Sequence, residues 1–109
     1  MSPLSWTVGP DARTLATPEG AQIDLSRRGP VRRLLDALVA KRIDAPGTAL
    51  TADALLDAGW PDERMKHQAG MLRVYTAVRR LRKLGLAGVL VTRDDGYLLD
   101  PRVAFERTR

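Results

Sequence analysis

The chain has 109 residues, of which 44% are hydrophobic, and it carries 18 Lys and Arg against 13 Asp and Glu. That length predicts one domain with enough apolar residues for a compact core, while the absence of cysteine excludes disulfides, thiolate metal sites and cysteine nucleophiles. The chain has neither a signal-peptide pattern nor an apolar run of about 18 residues, so a cytoplasmic protein is expected, and its net charge of +5 favours an anionic partner.

Alternation of apolar and polar residues predicts three short strands between residues 4 and 25. Turns are expected at residues 9–11 and 17–20, where Gly and Pro cluster. The strands are expected to form an antiparallel meander that needs a helix to cover one face, with Trp6 as its main packing residue. The apolar positions of these strands are Leu4, Trp6, Val8, Leu15, Ala21, Ile23 and Leu25.

A first helix is predicted to open at Ser26 or at Gly29-Pro30 and to end near Arg42, because apolar residues recur at helical spacing from Val31 to Val39. Its start is basic. These arginines suit either phosphate contacts or ordinary surface charge, and the second interpretation is favoured. They are Arg27, Arg28, Arg32 and Arg33.

A short second helix is predicted after the break at residues 44–47, with Thr51 as its N-cap and Leu50 packed against Leu55. Gly59 fits the left-handed position that ends a helix. Trp60 is expected to close the edge of the core. Residues 62–70 are polar and are interpreted as a loop; its lone His67 cannot form a metal site by itself.

The stretch 71–84 predicts a third helix with two distinct faces. One face is apolar and suits the core; its positions are Met71, Val74, Val78, Leu81 and Gly85. The opposite face is a basic row of Arg73, Thr76, Arg80 and Lys83. From Arg64 to Arg93 the chain has 8 Lys and Arg and no acid, so this segment carries +8 and the remainder −3. Such a face is a candidate footprint for nucleic acid, although a solvated charged face is the plain alternative. It lacks the aromatic or wide apolar surface of a membrane helix, so no membrane partner is expected.

A β-hairpin is predicted after the third helix. Residues 89–92 and 97–99 favour strands, and Asp94-Asp95-Gly96 between them is a strong turn signal. Residues 101–109 are short and charged and are expected to form a frayed tail.

This order of elements is α+β with an N-terminal antiparallel meander, three helices and a C-terminal β-hairpin wing, the layout of a winged helix-turn-helix. Nearly the whole chain resembles the DNA-binding domain of OmpR/PhoB-type response regulators. The similar segments are Leu25-Ser26 with Leu34-Leu35, residues 50–56 (LTADALL) with Trp60, Val74 with residues 78–83 (VRRLRK), Thr92-Arg93, and Gly96-Tyr97-Leu98. The expected divisions are strands in 4–25, a three-helix core in 26–84, a wing in 89–99 and a tail in 101–109.

The resemblance implies that helix 71–84 enters the major groove and that residues 92–97 approach the minor groove. Arg73, Thr76, Ala77 and Arg80 match the outward positions that read bases or touch phosphates, and Arg80 is the first choice for guanine. Arg79 and Lys83 resemble phosphate contacts.

Two further arginines have expected roles beside the reading helix. Arg93 matches a wing position near the minor groove or its phosphates. Arg82 lies on the inward side of the helix, where it is expected to pair with an acid near the core or to reach a phosphate.

The sequence departs from the family in three respects. Asp94 and Asp95 occupy a wing tip that is usually neutral or basic, so either the wing lifts away from DNA or the partner is not DNA. Leu72 lies near the outward face, where it suits a thymine methyl or a protein contact equally. No receiver domain is present, so we expect a fragment, a stand-alone domain or a subunit controlled by a partner.

Two functions therefore stay open. The first is a sequence-specific double-stranded DNA-binding module of a bacterial transcription regulator, acting as a homodimer on repeated half-sites. The second is a winged-helix module that docks an acidic protein partner. An enzyme is not expected, because the chain has no Gly-rich phosphate loop, Ser-His-Asp set or metal-spaced cluster, and no cofactor or metal is predicted.

Overall fold

The computed structural model describes residues 5–108, which form an α+β arrangement of three α-helices and two sheets. The elements in chain order are β1 (Ser5–Val8), β2 (Thr14–Ala16), β3 (Gln22–Asp24), α1 (Gly29–Asp44), α2 (Ala52–Gly59), α3 (His67–Leu81), β4 (Leu90–Arg93), β5 (Gly96–Leu99) and β6 (Ala104–Arg107). A 3-10 turn, Pro10–Ala12, joins β1 to β2, and a π-helical turn, Arg82–Leu86, follows α3.

The predicted N-terminal meander is confirmed for β1, β2 and β3, which pair antiparallel in that order; Leu4 lies outside the described residues. The frayed tail predicted for residues 101–109 is wrong for its central part, which forms a sixth strand. Residues 104–107 form β6, which pairs parallel with β1 and completes a four-stranded sheet in the order β3-β2-β1-β6. Phe105 explains this pairing, because its ring is buried and stacks on Trp6 with centroids 6.1 Å apart.

Helix α1 is the central element of the core, since it packs against α2, α3, β5 and β6. It begins at Gly29-Pro30, the second of the two predicted starts, and runs two residues beyond Arg42. The proline suits the first turn because its missing N–H has no partner there in any case. The buried positions of α1 are Val31, Leu34, Leu35, Leu38 and Val39, as its periodicity predicts.

Helix α2 begins as predicted at the N-cap Thr51, whose Oγ1 accepts a hydrogen bond from the Ala54 N–H at 3.0 Å. The left-handed conformation predicted for Gly59 is wrong. Gly59 is the last residue of α2 and is buried, and a Cβ there would lie 2.5 Å from Leu34 Cδ1. Close packing against α1, rather than a backbone turn, therefore favours glycine at this position.

Helix α3 begins at His67, one turn before the predicted start, and His67 is exposed in its first position. The extra turn is polar on its outer side, which hides the helical periodicity, and it contacts α2 through Gly70, where a Cβ would lie 2.6 Å from Leu56 Cδ2. The regular α-helix ends at Leu81 rather than at residue 84. The π-helical turn then ends the helical segment, with Gly85 at φ +125°.

The inward face of α3 differs in detail from the predicted apolar row. Val74, Val78 and Leu81 are buried as expected, whereas Met71 is half-buried and Gly85 is exposed. Ala77, expected to point outward, is only 3% exposed and belongs to the core. Its small side chain lets α3 lie close to its neighbours.

The predicted hairpin is confirmed: β4 and β5 pair antiparallel, and Arg93 opposite Gly96 leaves Asp94-Asp95 as a two-residue turn. A backbone bridge joins the hairpin to the residue before the α2 cap. Leu50 N–H donates to the Tyr97 carbonyl at 2.8 Å, and Tyr97 N–H donates to the Leu50 carbonyl at 2.9 Å. Gly96, at φ +140°, allows this approach because a Cβ would overlap the Leu50 carbonyl.

Candidate nucleic-acid interface

The outer face of α3 and of the turn after it presents most of the predicted contact residues to solvent. Five are exposed, and they lie on the side away from the buried row of α3: Arg73, Thr76, Arg79, Arg80 and Lys83. Ala77 does not join them, because it is buried. This face contains four cations and a hydroxyl, a set that suits phosphate oxygens and the acceptor edges of bases.

Arg73 is partly engaged with an acid that precedes the helix. Its Nη1 lies 3.4 Å from Glu63 Oε1, and the two side chains are 46% and 53% exposed. An exposed ion pair of this length contributes little free energy because water screens it. Arg73 is therefore held near Glu63 only weakly and can exchange that partner for another anion.

Arg79 lies over an aromatic ring of the same helix. Its Cζ is 5.9 Å from the centroid of Tyr75, which is 51% exposed. This cation–π contact holds the guanidinium on the outer side of α3 without neutralising its charge. Tyr75 is not among the predicted contact residues, although its spacing of four residues from Arg79 is the spacing at which helical side chains meet.

The basic face of α3 is extended by the start of α1. Arg28 lines an open groove of about 420 Å³ together with residues of α3 and the following turn, namely Thr76, Arg79, Arg80, Lys83 and Leu84. Four cations thus surround one depression, and no acid is among its lining residues in the described part of the chain. Helical periodicity could not reveal that Arg28 lines the same groove as α3, because this depends on how α1 crosses α3.

The four arginines near the start of α1 divide into two pairs. Arg32 donates from Nη1 to the Asp11 carbonyl at 2.9 Å, and Arg33 donates from Nε to the Gly59 carbonyl at 2.9 Å. Both therefore hold neighbouring elements in place. Arg27 and Arg28 are exposed and lie beside the α3 face. Ordinary surface charge, the interpretation favoured for all four, fits the exposed Arg27 and Arg28. It does not describe Arg32 and Arg33, which donate to backbone carbonyls.

Arg82 has a different partner from either of those expected. It donates to the Leu90 carbonyl from Nε at 3.2 Å and from Nη2 at 2.8 Å, and Nη2 also donates to Thr92 Oγ1 at 2.8 Å. Its partners are a backbone carbonyl and a hydroxyl, not an acid. Arg82 therefore fixes the hairpin relative to the end of α3.

The tip of the hairpin is an intramolecular ion pair. Arg93 donates from Nε and Nη2 to the two carboxylate oxygens of Asp95 at 3.2 and 3.1 Å. This hydrogen bonding lowers the pKa of the Asp95 carboxyl below its ordinary value of 3.8, so Asp95 is a carboxylate at neutral pH. Asp94 beside it is exposed. The tip thus has one cation and two acids, and Arg93 is not a free positive charge.

Comparisons with other proteins do not assign the chain to a family. No protein-family model matches it, and a comparison with curated proteins finds no match. Within residues 5–108, no group of three or more His, Cys, Asp or Glu is placed to hold a metal ion. Among the helices described, none combines the length and apolarity needed to cross a membrane.

Proposed function

We propose that this chain is a sequence-specific double-stranded DNA-binding module of a transcription regulator, with a winged helix-turn-helix architecture. In this proposal α2 and α3 are the helix-turn-helix, α3 is the recognition helix, and β4 with β5 is the wing. The support is the order of the elements together with the exposed basic face of α3 beside the hairpin.

One observation carries the proposal: Arg28, Arg79, Arg80 and Lys83 surround a single open groove that no described acid lines. Four positive charges held close together repel one another. A bound polyanion neutralises them, and the counterions condensed on the polyanion are released. Double-stranded DNA supplies phosphates at the required density, and an α-helix fits its major groove.

The proposed roles follow from position. Arg80 reads guanine through its planar guanidinium, with Thr76 beside it on the same face. Arg79, Lys83 and Arg28 hold phosphates, and Arg73 joins them when it leaves Glu63. A single short helix reads few bases, so a homodimer on repeated half-sites supplies the remaining specificity.

The wing has a smaller role in this proposal than the family resemblance implies. Arg93 pairs with Asp95 through two hydrogen bonds, and Asp94 adds an exposed negative charge. Two carboxylates close to phosphates would oppose binding, so the tip of the wing lies away from the DNA backbone unless the ion pair opens.

The test is a fluorescence-anisotropy titration with mixed-sequence duplex DNA at two salt concentrations. Arg80→Ala is expected to weaken binding by about tenfold or more. Arg28→Gln is expected to weaken it and to reduce the slope of log affinity against log salt by about one. Lys41→Gln is the matched control, because Lys41 lies in the last turn of α1, about 20 Å along the helix from Arg28.

Wild-type protein must meet two conditions if α3 binds DNA. Binding must be detectable at low salt and must weaken steeply as salt rises. Absence of binding at low salt, or equal losses for Arg28→Gln and Lys41→Gln, would overturn the assignment of this face to DNA.

A further inference from the structure

A second groove lies between the start of α1 and α3 and has a different composition from the first. It has a volume of about 490 Å³. Five of its lining residues are apolar and are called its floor: Pro30, Val31, Trp60, Leu72 and Ala77. Four others are arginines and are called its rim: Arg27, Arg28, Arg73 and Arg80.

The apolar floor is only partly accounted for by contact with DNA. Phosphates would satisfy the arginines, and a thymine methyl or deoxyribose carbons would contact Leu72, but these small groups would not fill a groove of about 490 Å³ against Trp60. Leu72 is 64% exposed, the largest exposure among the exposed large hydrophobic residues of the described chain. Exposed apolar surface and clustered arginines are both unfavourable in the free protein. An occupant that relieves both must combine negative charge with apolar side chains.

The exposure of this groove to solvent favours a chain segment over a small molecule as its occupant. Sites for small molecules enclose most of the ligand surface. Here Leu72 and the four rim arginines are exposed, so a small ligand would keep much of its surface in water. A chain segment can cover the groove and continue along the outer face of α3, where Tyr75 is also exposed.

We propose that this α1–α3 groove is a docking site for an acidic amphipathic segment of a partner protein. Leucine- or phenylalanine-type side chains of the segment lie against Trp60 and Leu72, and its carboxylates pair with the rim arginines. Arg73 exchanges Glu63, an exposed and weak partner, for a carboxylate of the segment.

Occupation of the groove would also block DNA. Arg28, Thr76 and Arg80 line both this groove and the basic groove assigned to phosphates, so a segment seated here and a DNA duplex compete for the same side chains. The docking site is inferred from the residues that line it and does not depend on DNA binding, whereas its role as a DNA competitor rests on the proposed function. The segment would act as a regulator that mimics the charge of DNA and adds apolar side chains larger than the methyl and sugar carbons of DNA.

The test uses three fluorescein-labelled synthetic peptides of equal length. The probe has leucine and phenylalanine at helical spacing with Asp and Glu at the other positions. One control peptide replaces the apolar residues with Glu, and the other replaces the acids with Asn and Gln. Because the docking proposal requires both kinds of contact, the probe is expected to bind at least about tenfold more tightly than either control.

Two protein variants locate the site. Leu72→Ser is expected to weaken the probe by about tenfold and to leave the all-Glu peptide unchanged. Ile43→Ser is the matched control, because Ile43 is 49% exposed near the end of α1 and does not line the groove. Both positions are exposed, so both variants are expected to fold, and circular dichroism checks this.

Each outcome decides one of the two proposals. Equal binding of the probe and the all-Glu peptide, or equal losses for Leu72→Ser and Ile43→Ser, would overturn the docking site. Probe binding without DNA binding would support the site and overturn the proposed function. When both ligands bind, unlabelled probe must displace labelled duplex; simultaneous binding would overturn the competition.

Discussion

Arg82 and Leu90 connect the end of the third helix to the first strand of the hairpin. The guanidinium of Arg82 donates twice to the Leu90 carbonyl, at 3.2 and 2.8 Å, and once to Thr92 Oγ1 at 2.8 Å. A charged, planar donor set of this kind fixes both position and direction. A side chain of the basic segment itself therefore helps to place the hairpin beside α3, together with the Leu50–Tyr97 backbone bridge and the buried Leu90 and Leu99.

Removal of this contact is expected to loosen the hairpin. Arg82→Ala should lower the free energy of unfolding by about 1–3 kcal/mol, because the Leu90 carbonyl loses a charged donor in a partly buried place. Urea denaturation measures the change, and amide hydrogen exchange in β4 and β5 should accelerate. Lys83→Ala is the control, since Lys83 is the exposed next residue. Equal destabilisation by the two variants would contradict the assigned role.

Two glycines provide a matched test of packing. Gly59→Ala is expected to destabilise the fold by about 1–2 kcal/mol, because its Cβ would meet Leu34, which is fully buried. Gly88→Ala should be neutral or stabilise by up to about 1 kcal/mol, because no atom lies within 4 Å of that Cβ position. Thermal unfolding of both variants checks the difference. A stabilising Gly59→Ala would show that Leu34 can move aside.

The ion pair at the hairpin tip is expected to restrain DNA binding. Asp95→Asn removes the carboxylate that holds Arg93, so duplex affinity should increase and the salt slope should steepen by about one as Arg93 becomes available to a phosphate. Anisotropy titrations at two salt concentrations measure both quantities. Asp44→Asn changes the net charge equally at the far end of α1. An equal gain for that variant would attribute the effect to net charge alone.

Acid is expected to weaken the turn before β6. Hydrogen bonds from the side chain and backbone N–H of Arg102, with Arg42 nearby, lower the pKa of Asp100 below 3.8. A carboxyl with a depressed folded-state pKa contributes stability above its unfolded pKa. That contribution is lost as the pH falls below about 3.8 and through the folded value.

The midpoint of urea denaturation, measured at neutral pH and at pH values below 3.8, reports this dependence of stability on pH. Asp100→Asn should be less stable than wild type at neutral pH and should lose less stability on acidification. Parallel pH profiles for the two proteins would assign the acid sensitivity to other carboxyls, such as Asp24, whose pKa is lowered by hydrogen bonds from Ser26.

Much of the local structure is determined by short-range patterns in the sequence. Helical spacing of apolar residues predicts α1, the Thr51 side chain specifies the start of α2, and Asp94-Asp95-Gly96 specifies the two-residue turn of the hairpin. These features follow from sequence because each depends on hydrogen bonds or side-chain contacts between residues a few positions apart. The run of cations from Arg64 to Arg93 likewise needs no fold to be recognised.

Contacts between distant residues were decided only by the tertiary structure. Phe105 pairs with Trp6 across almost the whole chain, Gly59 packs closely against Leu34 of another helix, and Arg28 lies beside α3. Burial of Ala77 and the engagement of Arg82 and Arg93 also depend on which surfaces meet. Sequence periodicity describes one element at a time, whereas packing and partner choice depend on how several elements cross, and those crossings separate the exposed cations of α3 from the arginines that hold the fold together.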